Sequence, residues 1–382
     1  MKRIRSIFLV GCCITLQAFS QEGDYVSNRA TFSPAPSSIA LSPDGKLLLA
    51  GFTDGSFRVL DPGSLEVSLE VKGAHVKAVT ALDMPPKMDF ILTAGGKEIK
   101  LWDRGGKQVG DFTGHATSIW NADISRDGKH AVSSAFNKTF LLWDVYNGVI
   151  AEYMRGHEDV TLAVAISPND HWIASGSNDH SIRIWDLETR EVAFTLQGPP
   201  EDVYDVAFSP DGKLLAAASG EHAIRVYDLE ARTLVHLLKG HRDAVKRLNF
   251  SPDSRYLASA SMDKSVILWD AVKGEKIHTY LDGEGLVLDA VFSSDGQTIF
   301  SVSTSGNLTC WKVDPEIFVL KYYGQSYREE IDGDSLFHPR GKGEPRKKYQ
   351  ARMEEAAQIR AEIIDKYFQR YLQERAGDPD AQ

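Results

Sequence analysis

Cysteine is scarce: the chain has three in 382 residues, and two of them, Cys12 and Cys13, are adjacent. That excludes a disulfide framework and a four-ligand cysteine zinc site, so the fold must rest on an apolar core. An excess of positive charge is also missing. With 43 Lys and Arg against 53 Asp and Glu the net charge is −10, which speaks against nucleic acid as a partner, because an acidic surface repels phosphate. No apolar run reaches the ~20 residues of a membrane-crossing helix, so no transmembrane helix is expected. Motifs of chemistry are lacking as well. No His-Glu-x-x-His or paired-cysteine spacing marks a metal, and Gly95-Gly96-Lys97 lacks the upstream glycine and the following Ser or Thr of a phosphate loop. No metal, cofactor or catalytic residue is expected.

The amino terminus stands apart from the rest. Lys2, Arg3 and Arg5 precede an apolar run from Ile7 to Leu16 and then Ala18-Phe19-Ser20, which is the composition of a secretory signal peptide over residues 1–20 with cleavage after Ser20. Leu9-Val10-Gly11-Cys12 resembles a bacterial lipobox and offers a lipoprotein anchor at Cys12 as the second reading. The expected location is accordingly secreted or periplasmic. Loss of this leader, with its three bases and no acids, takes the net charge to −13.

The remainder is dominated by an internal repeat. Leu60-Asp61, Trp102-Asp103, Trp143-Asp144, Trp185-Asp186, Tyr227-Asp228, Trp269-Asp270 and Trp311-Lys312 recur every 41 or 42 residues. Gly114-His115, Gly156-His157 and Gly240-His241 each place a His 28 residues before the aromatic. Turn strings such as Ser167-Pro168-Asn169-Asp170 and Ser209-Pro210-Asp211-Gly212 fall between them and mark tight reversals. Short segments rich in Ile, Val and Leu, Ser265 to Asp270 for example, read as strands, and four of them fit in each repeat.

These residues resemble the WD-repeat (WD40) family over roughly 24–324, about three quarters of the chain. The resemblance implies an all-β fold, a seven-bladed WD-repeat β-propeller. It also implies a hydrogen-bonded relay inside a blade, formed by His157, Ser175, Asp179 and Trp185 in one repeat and by His241, Ser259, Asp263 and Trp269 in another. A third repeat has His115, Ser133 and Trp143 but Asn137 in place of the acid, and the repeats ending at Leu60, Trp102, Tyr227 and Trp311 read as degenerate. The same set recurs in register, whereas a catalytic Ser-His-Asp triad is needed only once. To close the ring, a strand at Arg29 to Ser33 is favoured over one at Ile317 to Tyr323 as the outer strand of the seventh blade.

Beyond Gly324 the composition changes. Residues 325–345 read as a linker, and a helix is expected over 346–376, where Tyr349, Met353, Ala356, Ile359, Ile363, Tyr367 and Tyr371 recur at helical steps. Residues 340–376 carry ten bases and six acids against a net −15 for 21–339, so this C-terminal α-helical extension is expected to dock on its own propeller. Presentation of its aromatic stripe to another protein or to an anionic membrane are the alternatives.

By the same resemblance, partners meet the face from which the Gly-His loops emerge. There the chain places Trp120, Leu162, Tyr204, Lys246 and Leu288, and the turns add Phe136, His180, Met262 and Lys264. Leu162 and Leu288 could equally line the channel. The expected function is a non-catalytic protein–protein interaction scaffold of the cell envelope or extracellular space. A sensor for a small ligand or polysaccharide requires a closed pocket in the channel. An unrecognised propeller enzyme requires a carboxylate or His pair meeting between blades with shifted titration.

Overall fold

A computed structural model describes residues 25–86, 90–338, 341 and 344–376. The leader at 1–20 lies outside the described residues. Among the described residues, seven sheets of four antiparallel strands stand around a channel. Blades 1 to 6 span 36–71, 79–113, 119–155, 161–196, 203–239 and 245–281, each a meander with its first strand innermost. In such a meander the first and third turns emerge at one end of the blade and the second turn and the link to the next blade at the other. These ends form the lower and the upper face of the disc.

Blade 7 takes its three inner strands from 287–312 and its outer strand, Val26–Thr31, from the other end of the chain. Ala30 faces Leu308 and Thr31 faces Asn307 in an antiparallel ladder. The amino-terminal strand therefore closes the ring and removes the open edge. Ile317 to Tyr323 is not a strand: it lies in helix α1, Pro315–Asp332. Asp314 caps α1 by accepting the Glu316 N–H at 2.9 Å, and Pro315 stands in its first turn. An Asp-Pro-Glu start is a helix signal legible in the sequence.

The expected linker is thus helical over its first part, and the extension consists of two helices, α1 and α2 (Arg346–Ala376), joined through a short turn at Ser335–Phe337. The two helices pack through Val319, Tyr327, Ile331, Ile363 and Tyr367. They dock on the side of blades 6 and 7, where Ile317, Phe318 and Tyr371 join the cluster of Ile277, Tyr280 and Trp311. Tyr371 stacks on Phe318 at 5.3 Å and on Tyr322 at 5.1 Å. Its hydroxyl pairs with that of Tyr256 at 2.9 Å. Beside it, buried Arg375 pairs with Asp270, the acid of the sixth Trp-Asp signature.

Large apolar side chains fill the spaces between blades, Trp143, Phe140, Leu48 and Ile91 among them. Cys310 is buried in the strand of Trp311, and burial pushes its thiol up to about 12, so it behaves as a small core hydrophobe. No helix among the described residues is long and apolar enough to cross a membrane.

Candidate functional site

The buried relays set the frame that holds the upper face. In blade 4 the Trp185 indole N–H donates to Ser175 Oγ at 2.7 Å and the hydroxyl meets His157 Nε2 at 2.7 Å. His157 Nδ1 then donates to Asp179 at 2.9 Å. Blade 6 repeats the chain through Trp269, Ser259, His241 and Asp263 at 2.8, 2.6 and 2.8 Å. Each turn carboxylate also accepts a backbone N–H from the loop that enters its blade, Glu158 for Asp179 and Arg242 for Asp263. Burial alone would raise both acids, but these donors, with Ser181 and Ser265, hold them well below the usual carboxylate range.

Blade 3 keeps Trp143, Ser133 and His115, at 2.7 and 2.6 Å, yet Asn137 leaves the buried His115 Nδ1 without a partner. Blade 2 is not degenerate, contrary to the sequence reading: the Trp102 indole donates to Thr93 Oγ1 and His75 Nε2 meets it, both at 2.8 Å. Two departures hid this relay. Thr replaces Ser, and His75 stands 27 rather than 28 residues before its Trp. Neither His has a carboxylate partner, and burial draws both pKa values down to about 4. Blade 7 retains only the Trp311 to Ser301 bond at 2.8 Å.

On the upper face the structure brings four of the rim residues together. Phe136, 49% exposed, meets Trp120 edge to face at 5.4 Å, and Tyr204 lies 6.4 Å from Trp120 at a shallow tilt. The Lys246 ammonium sits 3.5 Å from the Tyr204 ring centre and 5.2 Å from that of Trp120. Burial and neighbouring Arg247 lower the pKa of Lys246, while Asp202 and Asp243 oppose the shift. Burial, with Asp202, Glu201 and Asp243, raises that of Tyr204. The result is an aromatic and cationic patch from blades 3, 5 and 6 with an acidic border.

The other rim candidates separate into two groups. His180 and Lys264 are exposed on turns at φ 64° and 72°, a left-handed position that glycine holds in blades 1 and 7 at Gly55 and Gly306. His222 in blade 5 has the same conformation at φ 63° and was missed, because handedness is not written in composition. Met262 is half-buried in the turn that carries Lys264. Leu162 is a correction: at 3% exposure it is core and can meet no partner. Leu288 is half-buried against the cluster of Ile39 and Phe52, so it too belongs mainly to the packing.

Below the patch the channel is crossed by side chains. The Trp120 indole donates to the Tyr204 carbonyl at 3.3 Å, and Arg247 donates from blade 6 to the carbonyls of Thr80 at 3.3 Å and Trp120 at 3.2 Å. A cavity of about 320 Å³ lies beneath these ties, lined in part by Pro168 and Pro210 of the lower turns, and an adjoining one of about 390 Å³ shares Ile39, Asp123 and Pro210 with it. A carboxyl pair does meet between blades: Asp83 and Asp123 are hydrogen-bonded to each other. Burial raises both, and the charge of Asp83 raises Asp123 further.

Their other contacts identify the role of the pair. Asp83 accepts the N–H of Ile124 in the next blade at 3.3 Å, and Asp123 that of Ile166 at 2.6 Å. Asp205 accepts from Leu248, Asn249 from Phe292 and Asp289 from Ile39, each across one joint of the ring, at 2.8, 2.8 and 3.1 Å. The pattern recurs around the channel, which marks architecture rather than a catalytic centre. Among the described residues no group of three His, Cys, Asp or Glu could hold a metal ion.

Comparison with known proteins follows the same lines. The WD40 family model, described as WD domain, G-beta repeat, matches 29–61, 67–103, 106–144, 149–186, 190–228 and 232–270, more than half of the chain. Each later match begins at or near the outer strand of one blade and ends with the third strand of the next, so the sequence unit is offset from the blade by one strand. A WD repeat-containing protein WDS homolog of Arabidopsis thaliana is 30% identical over 41% of this chain and 30% of its own length. The U3 small nucleolar RNA-associated protein 12 of Saccharomyces cerevisiae is 26% identical over 38% of this chain and 17% of its own. Nuclear distribution protein PAC1 of Coccidioides posadasii is 29% identical over 27% and 26%. The chain thus spans less than a third of each of these relatives.

These names overturn the expected secreted or periplasmic location, since a nucleolar RNA-associated protein and a nuclear distribution protein point away from it. The expectation rested on composition alone.

Proposed function

This chain belongs to the WD-repeat family, and on that premise we propose that it is a protein-interaction scaffold whose partner seats on the upper face, over Trp120, Phe136, Tyr204 and Lys246. The observation that carries this reading is the convergence of those four side chains from three blades into one patch beside the channel mouth. Aromatic anchors ringed by polar residues are the composition of an interface hot spot. Phe136 is large and apolar and remains about half exposed despite its edge contact with Trp120. His180, His222 and Lys264 occupy left-handed turn positions, and retention of long polar side chains at a backbone cost supports use of the same rim. The acids Glu201, Asp202 and Asp243 favour a partner segment with basic residues flanking an apolar anchor.

The test compares the full chain with a Phe136→Ala, Tyr204→Ala variant in affinity capture from cell extract, after equal melting has shown that both are folded. Trp120 is left in place because its indole and carbonyl tie the channel. Loss of a protein that the unaltered chain retains is expected. Equal retention by both forms would refute the patch as the working surface.

A further inference from the structure

A second pocket lies on the lower face, between blades 4 and 5, away from the patch described above. Trp172, Phe194 and Leu229 wall a cavity of about 260 Å³. The two aromatic rings meet edge to face at 6.0 Å, and His171 braces the indole at 4.2 Å. Gly212 contributes no side chain and so leaves the floor open. The lower turn of blade 5 adds Arg232, whose guanidinium carbon stands 4.5 Å from the centre of the Phe194 ring.

Arg232 has φ 56°, at the turn position where blades 3 and 6 have Gly148 and Gly274. Blade 1 has Leu65 at the same position at φ 60°, so the turn accepts other side chains at a backbone cost. Blade 4 also places an arginine at this position, and Arg190 has a use within the fold: it donates to the Ala151 carbonyl at 3.1 Å and lies 3.8 Å from Glu152. Arg232 makes no hydrogen bond or ion pair with any described residue, its ring contact aside. Glu230 is on the same turn and lines the same pocket, yet it forms no ion pair with Arg232. The indole N–H of Trp172 likewise donates to no acceptor of the described chain. Two aromatic walls and an exposed arginine without a hydrogen-bond partner among the described residues line one half-open pocket.

We propose that this pocket binds a carboxylate carried on a single aromatic ring, the ring against the walls of Trp172, Phe194 and Leu229 and the carboxylate on the Arg232 guanidinium. The guanidinium fork matches a carboxylate in plane and charge, and a pocket of about 260 Å³ has room for a single ring with its carboxylate. A free acid and the carboxyl terminus of a partner chain ending in an aromatic residue share this chemistry.

The test follows the indole N–H signal of Trp172 in the 15N-labelled full chain, assigned by its loss in Trp172→Phe. Phenylacetate, phenylacetamide and the peptide acetyl-Gly-Gly-Phe with a free carboxylate are titrated separately. A saturating shift is expected with at least one of the two acids, with the amide about ten-fold weaker or worse. Tighter binding of the peptide identifies a chain terminus as the natural source, and tighter binding of phenylacetate a free acid. Arg232→Gly should abolish the shift in a chain that melts no lower than the original, because glycine relaxes the turn. Absence of saturation with either acid, an amide as effective as the acids, or a shift that survives Arg232→Gly would overturn the proposal.

Discussion

At the scale of the residue, the blade relays are chains of donors in which no member can be removed without orphaning another. Ser175 accepts from Trp185 and contacts His157. Ser175→Ala should therefore cost about 2–4 kcal/mol in urea unfolding, because two buried polar groups lose their partner at ~1–3 kcal/mol each. Asn137→Asp should act in the opposite direction. It supplies the acceptor that His115 Nδ1 lacks and is expected to stabilise the chain by about 1 kcal/mol at neutral pH, read as a raised midpoint. Acidity separates two sets of groups. The folded chain holds His75 and His115 neutral down to about 4, against about 6.5 when unfolded. The unfolded state therefore binds the extra protons, and stability rises as pH climbs from about 4 to 6.5. Asp205 works the other way. Burial raises it to about 7, partly offset by Arg247 and the Leu248 N–H, so the folded state keeps a proton that the unfolded state has released, and stability falls as pH rises from about 4 to 7. Asp205→Asn should gain on the unaltered chain by about 2–4 kcal/mol between pH 4 and pH 8. A gain independent of pH would show that Asp205 does not titrate in that range.

At the scale of the element, the point of interest is how the two helices are held. Alone, α2 is an amphipathic helix with a broad aromatic stripe; in the molecule Tyr367 and Tyr371 are buried against α1 and blade 6, with Ile359 half-buried beside them. The stripe is therefore occupied by the chain itself. Arg375 and Asp270 are both fully enclosed, and Tyr322 approaches the same carboxylate at 3.4 Å. Arg375→Ala should cost about 3–5 kcal/mol, since it strands a buried charge, whereas Arg375→Met with Asp270→Asn should recover most of that loss. Unfolding of each variant by urea decides the matter. This contact was not legible in the sequence. Asp270 reads there as one more member of a repeat whose other acids cap exposed turns, and only the docking of α2 covers it. The start of α1 was legible in Asp314-Pro315-Glu316, but Ile317 to Tyr323 was weighed only as the less favoured closing strand, at the usual offset after Trp311.

At the scale of the whole molecule, seven blades are held by two kinds of joint. Apolar side chains interdigitate between the sheets, and around the channel a carboxylate or amide of one inner strand accepts a backbone N–H of the next blade. The final joint is topological. Val26–Thr31 is the outer strand of blade 7, so the first and last strands of the propeller share one sheet. Deletion through Thr31 should expose the unpaired edge at Asn307–Lys312 and drive association. Size-exclusion chromatography should then show oligomers or loss of soluble protein, and a stable monomer would mean that the ring closes without this strand. Crossing of the channel by Arg247 ties blades 2, 3 and 6 directly, which makes the disc a rigid platform for its two faces.

What the sequence determined by itself was whatever recurs. A period of 41 or 42 residues, the Trp-Asp and Gly-His markers and the turn strings were enough for the fold, the blade count and two complete relays, because each is a local pattern copied in register. The rim residues could be placed on one face for the same reason. What only the tertiary structure decided was whatever depends on distance across the ring. Meeting of Trp120, Tyr204 and Lys246 over the channel, the Asp83 and Asp123 pair, the burial of Leu162, the pocket beneath Arg232 and the enclosure of Asp270 all join residues whose separation along the chain carries no information about their approach. Closing a sheet-built ring turns a one-dimensional repeat into a surface, and the contacts across that surface are set by curvature and packing rather than by any local motif.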